Sequence, residues 1–154
     1  MFVATRAIVA TGSYGPKGYA SEWTVPQGAE EADGVDGLTR VVREQTGKGA
    51  DWIKVYADYR WGAGGSAHAT LTLDELKLAV EVAKSAGVPV AAHATSTEGA
   101  RRAVLAGVET IEHGDGCTPE LFRLMKERNT AFMSDLVGSR SECRTEENRL
   151  QAKH

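Results

Sequence analysis

The sequence predicts an α/β fold in which parallel strands alternate with amphipathic helices. Three observations lead to this prediction. Short apolar runs of strand length alternate with segments whose apolar residues recur at helical spacing. The chain has 17 glycines and only 4 prolines, which is typical of many tight turns between regular elements. Residues 88–93 are apolar up to the last one, as in strands buried on both faces of a parallel sheet.

Five apolar runs define the predicted strands, and at least four of them belong to consecutive βα units. The runs are residues 4–10, 52–57, 88–93, 108–112 and 130–134. After the first run, a Gly-, Pro- and Tyr-rich stretch to about Gly28 predicts a long loop. A second Gly-rich loop is predicted over residues 61–69. Long loops in compact domains are commonly functional, so both loops are candidates for ligand binding.

Four predicted helices lie between these strands, and each has a start or stop signal. They run from about Gly34 to Gly47, from a Thr72–Glu75 capping box to Gly87, from a Thr95–Glu98 capping box to Gly107, and from Thr118 and Pro119 to about Arg128. Their apolar faces supply the predicted core residues Leu38, Val41, Val42, Leu76, Ala79, Val80, Ala83, Ala100, Ala103, Val104, Leu121, Leu124 and Met125. Residues 138–154 have almost no apolar side chains, so we expect a polar tail after a folded domain at 1–137.

Composition narrows the classes of function. The chain has 154 residues, of which 42% are hydrophobic and 25% charged, as in an ordinary globular domain. A net charge of −3 gives no electrostatic reason to expect nucleic acid or a membrane surface as partner. No apolar run reaches the about 18 residues that a membrane span requires. Cys117 and Cys143 match neither a metal-binding pair nor a disulfide framework, so we expect free thiols and a cytoplasmic location.

Two histidines occupy equivalent places in this pattern. His93 ends one predicted strand, and His113 directly follows the next. The carboxyl ends of parallel strands form the ligand-binding edge of α/β folds. Neighbouring strands lie about 4.8 Å apart, which allows two imidazoles to reach one metal ion. A single histidine at a strand end is more commonly a hydrogen-bonded polar group, but two at the same level make a ligand site an equal alternative.

Lys54 lies between two apolar residues in a strand that should be interior, where lysine is rarely buried without a partner. Burial favours a neutral amine, which can form a Schiff base or react with carbon dioxide to give a carbamate, an anionic metal ligand. The alternative is an edge or end position from which the ammonium reaches solvent. Glu112 should point to the strand face opposite His113, which favours a core or inter-strand ion pair over support of a metal ligand.

A competing motif lies in the second loop. Residues 62–67 formally fit the GxGxxG/A pattern of dinucleotide-binding loops. That pattern requires the helix to begin within the motif, whereas the helix start signal here is Thr72. A flexible substrate loop is the preferred interpretation. His68 in this loop and His154 in the tail are also compatible with simple exposure to solvent.

Residues 51–55, 90–94, 98–100, 102–103 and 106–114, together with the turn at 11–16, resemble the metal-dependent amidohydrolase superfamily. The branch is that of imidazolonepropionase-like and Xaa-Pro dipeptidase-like enzymes, and the likeness runs from about Ala4 to Leu136. It implies a partial TIM-like (β/α)8 barrel, about strands three to seven, because a whole barrel typically needs about 250 residues.

The resemblance also implies a metal site. Lys54 would be the carboxylated lysine of strand four, and His93 and His113 the ligands of strands five and six. One or two divalent ions, expected to be zinc, would bind there, with carbon dioxide held as the lysine carbamate. The implied reaction is hydrolysis of an amide or peptide C–N bond in a small molecule or dipeptide by metal-activated water.

The resemblance places the two long loops on the substrate face, which makes Tyr14, Tyr19 and His68 candidate substrate-binding residues. The chain lacks the family's HxH pair from strand one and the aspartate that ends strand eight, since Asp135 falls where strand seven should end. We therefore expect a fragment with half of the usual ligands. The alternative is an inactive truncated barrel that forms a homo-oligomer through its open sheet edges.

Overall fold

A computed structural model describes residues 1–20, 22–61 and 64–134 of the chain. Within these ranges the chain forms eight strands and four helices. In chain order they are β1 (Ile8–Val9), β2 (Glu30–Glu31), α1 (Gly34–Gly47), β3 (Ile53–Tyr56), β4 (Asp58–Tyr59), β5 (His68–Ala69), α2 (Leu73–Ser85), β6 (Val90–Ala94), α3 (Thr97–Ala106), β7 (Thr110–His113), α4 (Pro119–Arg128) and β8 (Ala131–Met133).

Six strands form one parallel sheet in the order β2-β1-β3-β6-β7-β8, which confirms the predicted α/β class. From β3 onward, each sheet strand is joined to the next by a helix, as parallel neighbours require. The short strands β4 and β5 pair antiparallel as a separate hairpin. The prediction of a loop over residues 61–69 is therefore wrong for its last two residues. His68 and Ala69 form β5, which pairs with β4 directly after β3.

The core lies between the helices and one face of the sheet. Its strand residues include Ile8, Ile53, Val55, Val90, Ala92, Ala94 and Ile111. Of the predicted helical core residues all are buried except Leu124, which packs partly buried against the cluster. The strands therefore contribute to the hydrophobic core mainly through one face of the sheet. Side chains on the other face are not needed for this core.

The first strand is shorter than predicted, since only Ile8 and Val9 join the sheet as a strand. Ala4 makes a single bridge with Trp52, and the residues before it are exposed. Beside β1 the structure adds β2, which no apolar pattern indicated because it consists of two glutamates. Backbone hydrogen bonds join it to β1, as Glu30 N donates to Ala7 O at 2.8 Å.

The helix caps agree with the sequence in two cases and differ in a third. At α2 the predicted capping box is confirmed, with Glu75 N donating to Thr72 Oγ1 at 3.2 Å and Thr72 N donating to Glu75 Oε2 at 2.8 Å. At α4 the hydroxyl of Thr118 accepts from the backbone of the first turn, as expected.

The predicted capping box of α3 is wrong. The residue that caps α3 is Ser96, whose hydroxyl accepts from Gly99 N at 3.1 Å. Glu98 turns away to pair with Arg101 and Arg102. The N–H and hydroxyl of Thr95, one residue earlier, donate to the carboxylate of Asp58.

The predicted tail at 138–154, its boundary at 137, and Asp135, Cys143 and His154 lie outside the described residues. Cys117 is present as a partly buried thiol. Among the helices that the structure describes, none has the length and apolar character needed to cross a bilayer.

Candidate metal centre

The parallel register brings polar side chains of three neighbouring strands onto one face of the sheet. Tyr56 lies beside His93, and His93 lies beside Glu112. Because side chains alternate along a strand, Lys54 shares this face with Tyr56. The residues between them, Val55, Ala92 and Ile111, are fully buried in the core on the other face. We call this first side of the sheet the polar face, defined by Lys54, Tyr56, His93 and Glu112.

His113 reaches the polar face through its backbone conformation. Strict alternation would put it opposite Glu112, as the sequence indicated. At the end of β7, however, its φ is 73°, in the left-handed region that is uncommon for residues other than glycine. Its ring meets the ring of His93 edge-on, with centroids 4.6 Å apart. Unusual φ values of this kind cluster at functional sites.

Lys54 is held in the interior of the sheet. Its strand β3 lies between β1 and β6, and its side chain is only 15% exposed. The ammonium donates to the carboxylate of Glu112 in an ion pair that spans β6. The inter-strand ion pair predicted for Glu112 is confirmed, and the alternative of an edge position for Lys54 is wrong.

His93 is neutral at physiological pH. Burial lowers the pKa of His93 to about 4; the nearby carboxylates of Asp58 and Asp115 oppose this shift, and the neighbouring His113 and Lys54 add to it. Its ring stacks on that of Tyr56 with centroids 4.4 Å apart and planes 22° apart. The lone pair of a neutral, oriented imidazole is what a metal ion binds.

Three tyrosines, Tyr14, Tyr56 and Tyr59, contact one another beside this histidine and form what we call the tyrosine cluster. The ring of Tyr14 lies 5.5 Å from Tyr56 and 5.1 Å from Tyr59, centroid to centroid. Burial raises the pKa of Tyr56, and its two phenol neighbours raise it further, so that its hydroxyl keeps its proton at neutral pH. The long loop after β1 therefore reaches the polar face through Tyr14.

The other two predicted substrate residues lie elsewhere. Tyr19 is 54% exposed, and its ring contacts Trp23 at 6.2 Å. His68 is an exposed residue of β5 and shares a hydrogen bond of 3.0 Å with the hydroxyl of Ser66. The structure thus brings together Lys54, His93, His113 and Tyr14, and the roles of Tyr19 and His68 remain predictions.

Sequence reasoning missed Asp58, which follows β3 by two residues and is fully buried. Its Oδ1 lies 3.6 Å from Nε2 of His93. The signal was present in the sequence, because an acidic residue directly after a buried strand falls at the ligand-binding edge of a parallel sheet.

The side chains at this edge of the sheet fit part of a divalent-metal site. Two imidazoles meet at one edge of the sheet, and one of them is neutral. Among the described residues, no three of the His, Cys, Asp and Glu side chains are arranged around one point as a complete ligand set. Lys54 would have to supply a further donor, as the carbamate expectation requires.

Comparisons with known proteins agree with this arrangement. A profile described as the amidohydrolase family matches residues 3–152. An uncharacterized protein of Mycobacterium tuberculosis is 31% identical over 122 residues, covering 79% of this chain and 32% of that protein. The ochratoxinase of Aspergillus niger is 34% identical over 110 residues, covering 67% of this chain and 22% of the relative. A crystal structure of a prolidase complexed with N-methylphosphonate-L-proline has a TM-score of 0.76 and 31% identity, covering 86% of this chain and 35% of that one.

The matches cover most of this chain but only a minor part of each relative. The chain spans about a third of the length of the mycobacterial relative and of the prolidase. The structural neighbours are TIM-barrel proteins, and the six parallel strands with their helices match part of such a barrel. The expected partial TIM-like fold is therefore confirmed.

Proposed function

This chain belongs to the amidohydrolase family, as the resemblance indicated, and we propose that its polar face is part of the metal site of an enzyme that hydrolyses amide or peptide C–N bonds. The observation that carries the proposal is the meeting of the His93 and His113 rings, 4.6 Å apart, at the carboxyl ends of adjacent parallel strands. This is the edge at which TIM barrels place their active sites. Members of the family generally use divalent metals.

In this proposal His93 and His113 hold a divalent ion, with zinc as the first candidate because it accepts imidazole nitrogen readily. A bound ion would supply a nucleophile at neutral pH by lowering the pKa of water, and would polarise the scissile carbonyl. His93 suits metal binding, since its pKa of about 4 keeps the imidazole neutral at physiological pH. The stacked ring of Tyr56 limits the orientations that the His93 ring can adopt.

Lys54 is the residue that we propose to carry the carbamate. The amine and carbon dioxide would form one N–C bond and release one proton. In the structure the ammonium of Lys54 is paired with Glu112. Carboxylation therefore requires Nζ to lose its proton and to leave this partner, so that Glu112 regulates how readily the carbamate forms.

The tyrosine cluster supplies a wall for the substrate. Tyr14 and Tyr59 lie within ring contact of Tyr56, and Tyr59 lies 6.1 Å from the His93 ring. Such rings combine a large apolar surface with a hydroxyl at one end, which suits a small amide or dipeptide. The likeness to a prolidase complexed with an L-proline derivative supports Xaa-Pro dipeptides as the first substrates to test.

Zinc binding tests the metal site. Protein purified without chelator should contain zinc, and calorimetric titration should show affinity that His93→Ala and His113→Ala each weaken by about tenfold or more. His68→Gln is the matched control, because it removes an exposed histidine outside the polar face and should leave zinc affinity unchanged. Equal zinc affinity in the wild type and the His93→Ala/His113→Ala double variant would overturn the proposal.

Hydrolysis tests the reaction. A panel of Xaa-Pro dipeptides and N-acyl amino acids should be cleaved in the presence of zinc and bicarbonate, and Lys54→Gln should abolish the cleavage. Carbon-13 NMR after equilibration with labelled bicarbonate should show a carbamate signal that Lys54→Gln removes. Failure of the wild-type chain to cleave any member of the panel with zinc bound would rule out catalysis by this chain alone.

A second candidate is a non-catalytic chain that self-associates, and the edge strand β8 supports it. All three residues of β8 are exposed, with Phe132 at 37% and Met133 at 57%. An exposed apolar edge strand is a pairing surface. Light scattering after size exclusion should then show a dimer or larger species that Met133→Lys dissociates. A monomer at all concentrations would contradict this candidate and the expected homo-oligomer.

A further inference from the structure

Asp58 is a fully buried carboxylate to which the proposed hydrolysis assigns no role. It lies in β4, at the carboxyl edge of the sheet, and faces the junction between β6 and α3. A buried carboxylate is costly unless several donors satisfy it. The question is therefore what holds Asp58 in place and what it does there.

The β6–α3 junction surrounds the carboxylate with donors. Thr95 N lies 3.0 Å from both oxygens, and the Thr95 hydroxyl lies 3.2 Å from Oδ1. Ser96 donates to Oδ2 twice, from its N–H at 2.7 Å and from its hydroxyl at 2.6 Å. These donors and the positive end of the α3 dipole compensate for the burial of the carboxylate oxygens.

The first turn of α3 is shaped to admit Asp58. A Cβ added at Gly99 would lie 2.2 Å from Oδ2 of Asp58, so only glycine fits at this position. Ser96 uses the same hydroxyl to donate to Asp58 and to accept from Gly99 N. The position of the carboxylate is therefore determined by the start of α3.

On the polar face, Asp58 lies next to His93, whose Nε2 is 3.6 Å from Oδ1. This distance is too long for a direct hydrogen bond but well within the range of an electrostatic interaction. Since Thr95 follows His93 by two residues, the same short segment carries the histidine and the donors that hold Asp58. A negative charge beside Nε2 favours the tautomer with its proton on that nitrogen.

We propose that Asp58 is a positioning residue, which keeps the ring proton of His93 on Nε2 and leaves the lone pair on Nδ1. Tyr56 restrains the plane of the ring, and Asp58 decides which nitrogen carries the proton. This role of Asp58 rests on the proposed function. Metal-binding histidines commonly direct the ring nitrogen that does not bind the metal to a carboxylate. The tautomer itself is a property of the metal-free chain.

Nitrogen-15 NMR of the histidine rings tests the tautomer in the unaltered protein. The chain has only four histidines, so the His93 signals can be assigned by comparison with a His93→Gln variant. Near neutral pH, the spectrum should show a protonated Nε2 and a bare Nδ1 for His93. A ring with its proton mainly on Nδ1 would overturn the proposal without any need for a variant at Asp58.

Asp58→Asn removes the charge while keeping the size of the side chain. It should shift His93 toward a mixture of tautomers, whereas Asp51→Asn should not. Asp51 is the matched control because it also accepts from a backbone N–H, that of Val3 at 2.8 Å, but lies at the opposite end of β3. An unchanged His93 tautomer in Asp58→Asn would contradict the proposal.

Ser96→Ala separates positioning from stability. This variant loses the α3 cap and one donor to Asp58 but keeps the carboxylate. It should lower thermal stability and leave the His93 tautomer as in the wild type. A purely structural Asp58 would instead give both variants the same lowered stability and the wild-type tautomer. That result would reject positioning.

Zinc titration of the same proteins distinguishes this inference from the proposed function. If both hold, Asp58→Asn weakens zinc binding by about tenfold or more. If the wild type binds no zinc but its His93 tautomer depends on Asp58, the metal function fails and the positioning role stands. If zinc binds with equal affinity to the wild type and Asp58→Asn, the positioning role fails and the metal site stands.

Discussion

The two faces of the central sheet strands differ in burial and polarity, although their residues alternate along the same short segments. Val55, Ala92 and Ile111 are fully buried against the helices, while their chain neighbours Glu112 and His93 belong to the polar face. One face is apolar and buried, and the other carries charged side chains, imidazoles and phenols that remain partly exposed. Alternation along the strands thus separates what stabilises the fold from what could perform chemistry.

The polar face depends on the apolar one for its geometry. His93 and His113 meet because β6 and β7 are held in register by the core behind them. Substitutions on the apolar face should therefore change the free energy of unfolding most, and those on the polar face should mainly change binding. The following predictions test this division, from the largest effect to the smallest.

Ile111→Ala should lower the free energy of unfolding by about 2–5 kcal/mol, because it leaves a cavity in the core between β7 and the helices. Glu112→Gln, one residue later on the polar face, should cost less, about 1 kcal/mol, since this side chain is 37% exposed and the glutamine oxygen can still accept from Lys54. Urea denaturation measures both. Equal losses would show that the polar face also stabilises the fold.

Gly99→Ala should destabilise the chain by about 1–3 kcal/mol, because the added Cβ would collide with the carboxylate of Asp58. The matched control is Gly37→Ala in α1, where the nearest atom would lie at 3.9 Å. That change should stabilise by up to about 1 kcal/mol, through helix propensity. A neutral Gly99→Ala would mean that α3 can move away from Asp58 without cost.

Glu75→Gln should cost about 1 kcal/mol at neutral pH, since Glu75 links the starts of two helices and lies on neither face of the sheet. Burial raises the pKa of Glu75, but hydrogen bonds from Gly34 and Thr72 outweigh it and hold the pKa below its usual value. Its contribution is thus present above the unfolded pKa near 4.5 and is lost as the pH falls through the lower folded value. The difference between variant and wild type in urea denaturation should shrink as the solution is acidified, and a constant difference would contradict this.

Arg101→Ala should change stability by about 0.5 kcal/mol or less. Hydrogen bonds from Arg101 and Arg102 lower the pKa of Glu98 to about 2, but Arg101 and Glu98 are both exposed, and such pairs contribute little. Arg102→Ala should cost more, because this side chain also donates to Leu71 O at 3.1 Å. Thermal denaturation at low and high salt separates the two, and a reversed order would contradict the assignment.

Much of the fold could be predicted from local pattern. Strands β3, β6, β7 and β8 and the four helices lie where apolar periodicity and capping residues put them. The capping box at Thr72 was predicted correctly because both partners are local in sequence. At α3 the same reasoning was wrong by one residue, because Ser96 caps the helix, and the distant side chain Asp58 accepts from both Thr95 and Ser96.

The site was predictable only in part. His93 and His113 could be singled out from their equivalent positions at strand ends, and Lys54 from its apolar neighbours. That Lys54 pairs across β6 with Glu112, and that Tyr14 joins the tyrosine cluster, depends on contacts 58 and about 40 residues apart in the chain. The hydrophobic pattern of a sequence does not show which polar side chains contact each other when they lie so far apart in the chain.

By itself the sequence determined the parallel α/β architecture, the two faces of its strands, and the family to which the chain belongs. The architecture and the two faces follow from local alternation and helix signals, which act over a few residues, and the family follows from the resemblance of short blocks of sequence. Only the tertiary structure decided that His113 turns back toward His93, and that Asp58 is buried beside Nε2. The reason is physical: a left-handed φ at a strand end and a buried carboxylate are each unfavourable alone, and persist only where the packed surroundings stabilise them.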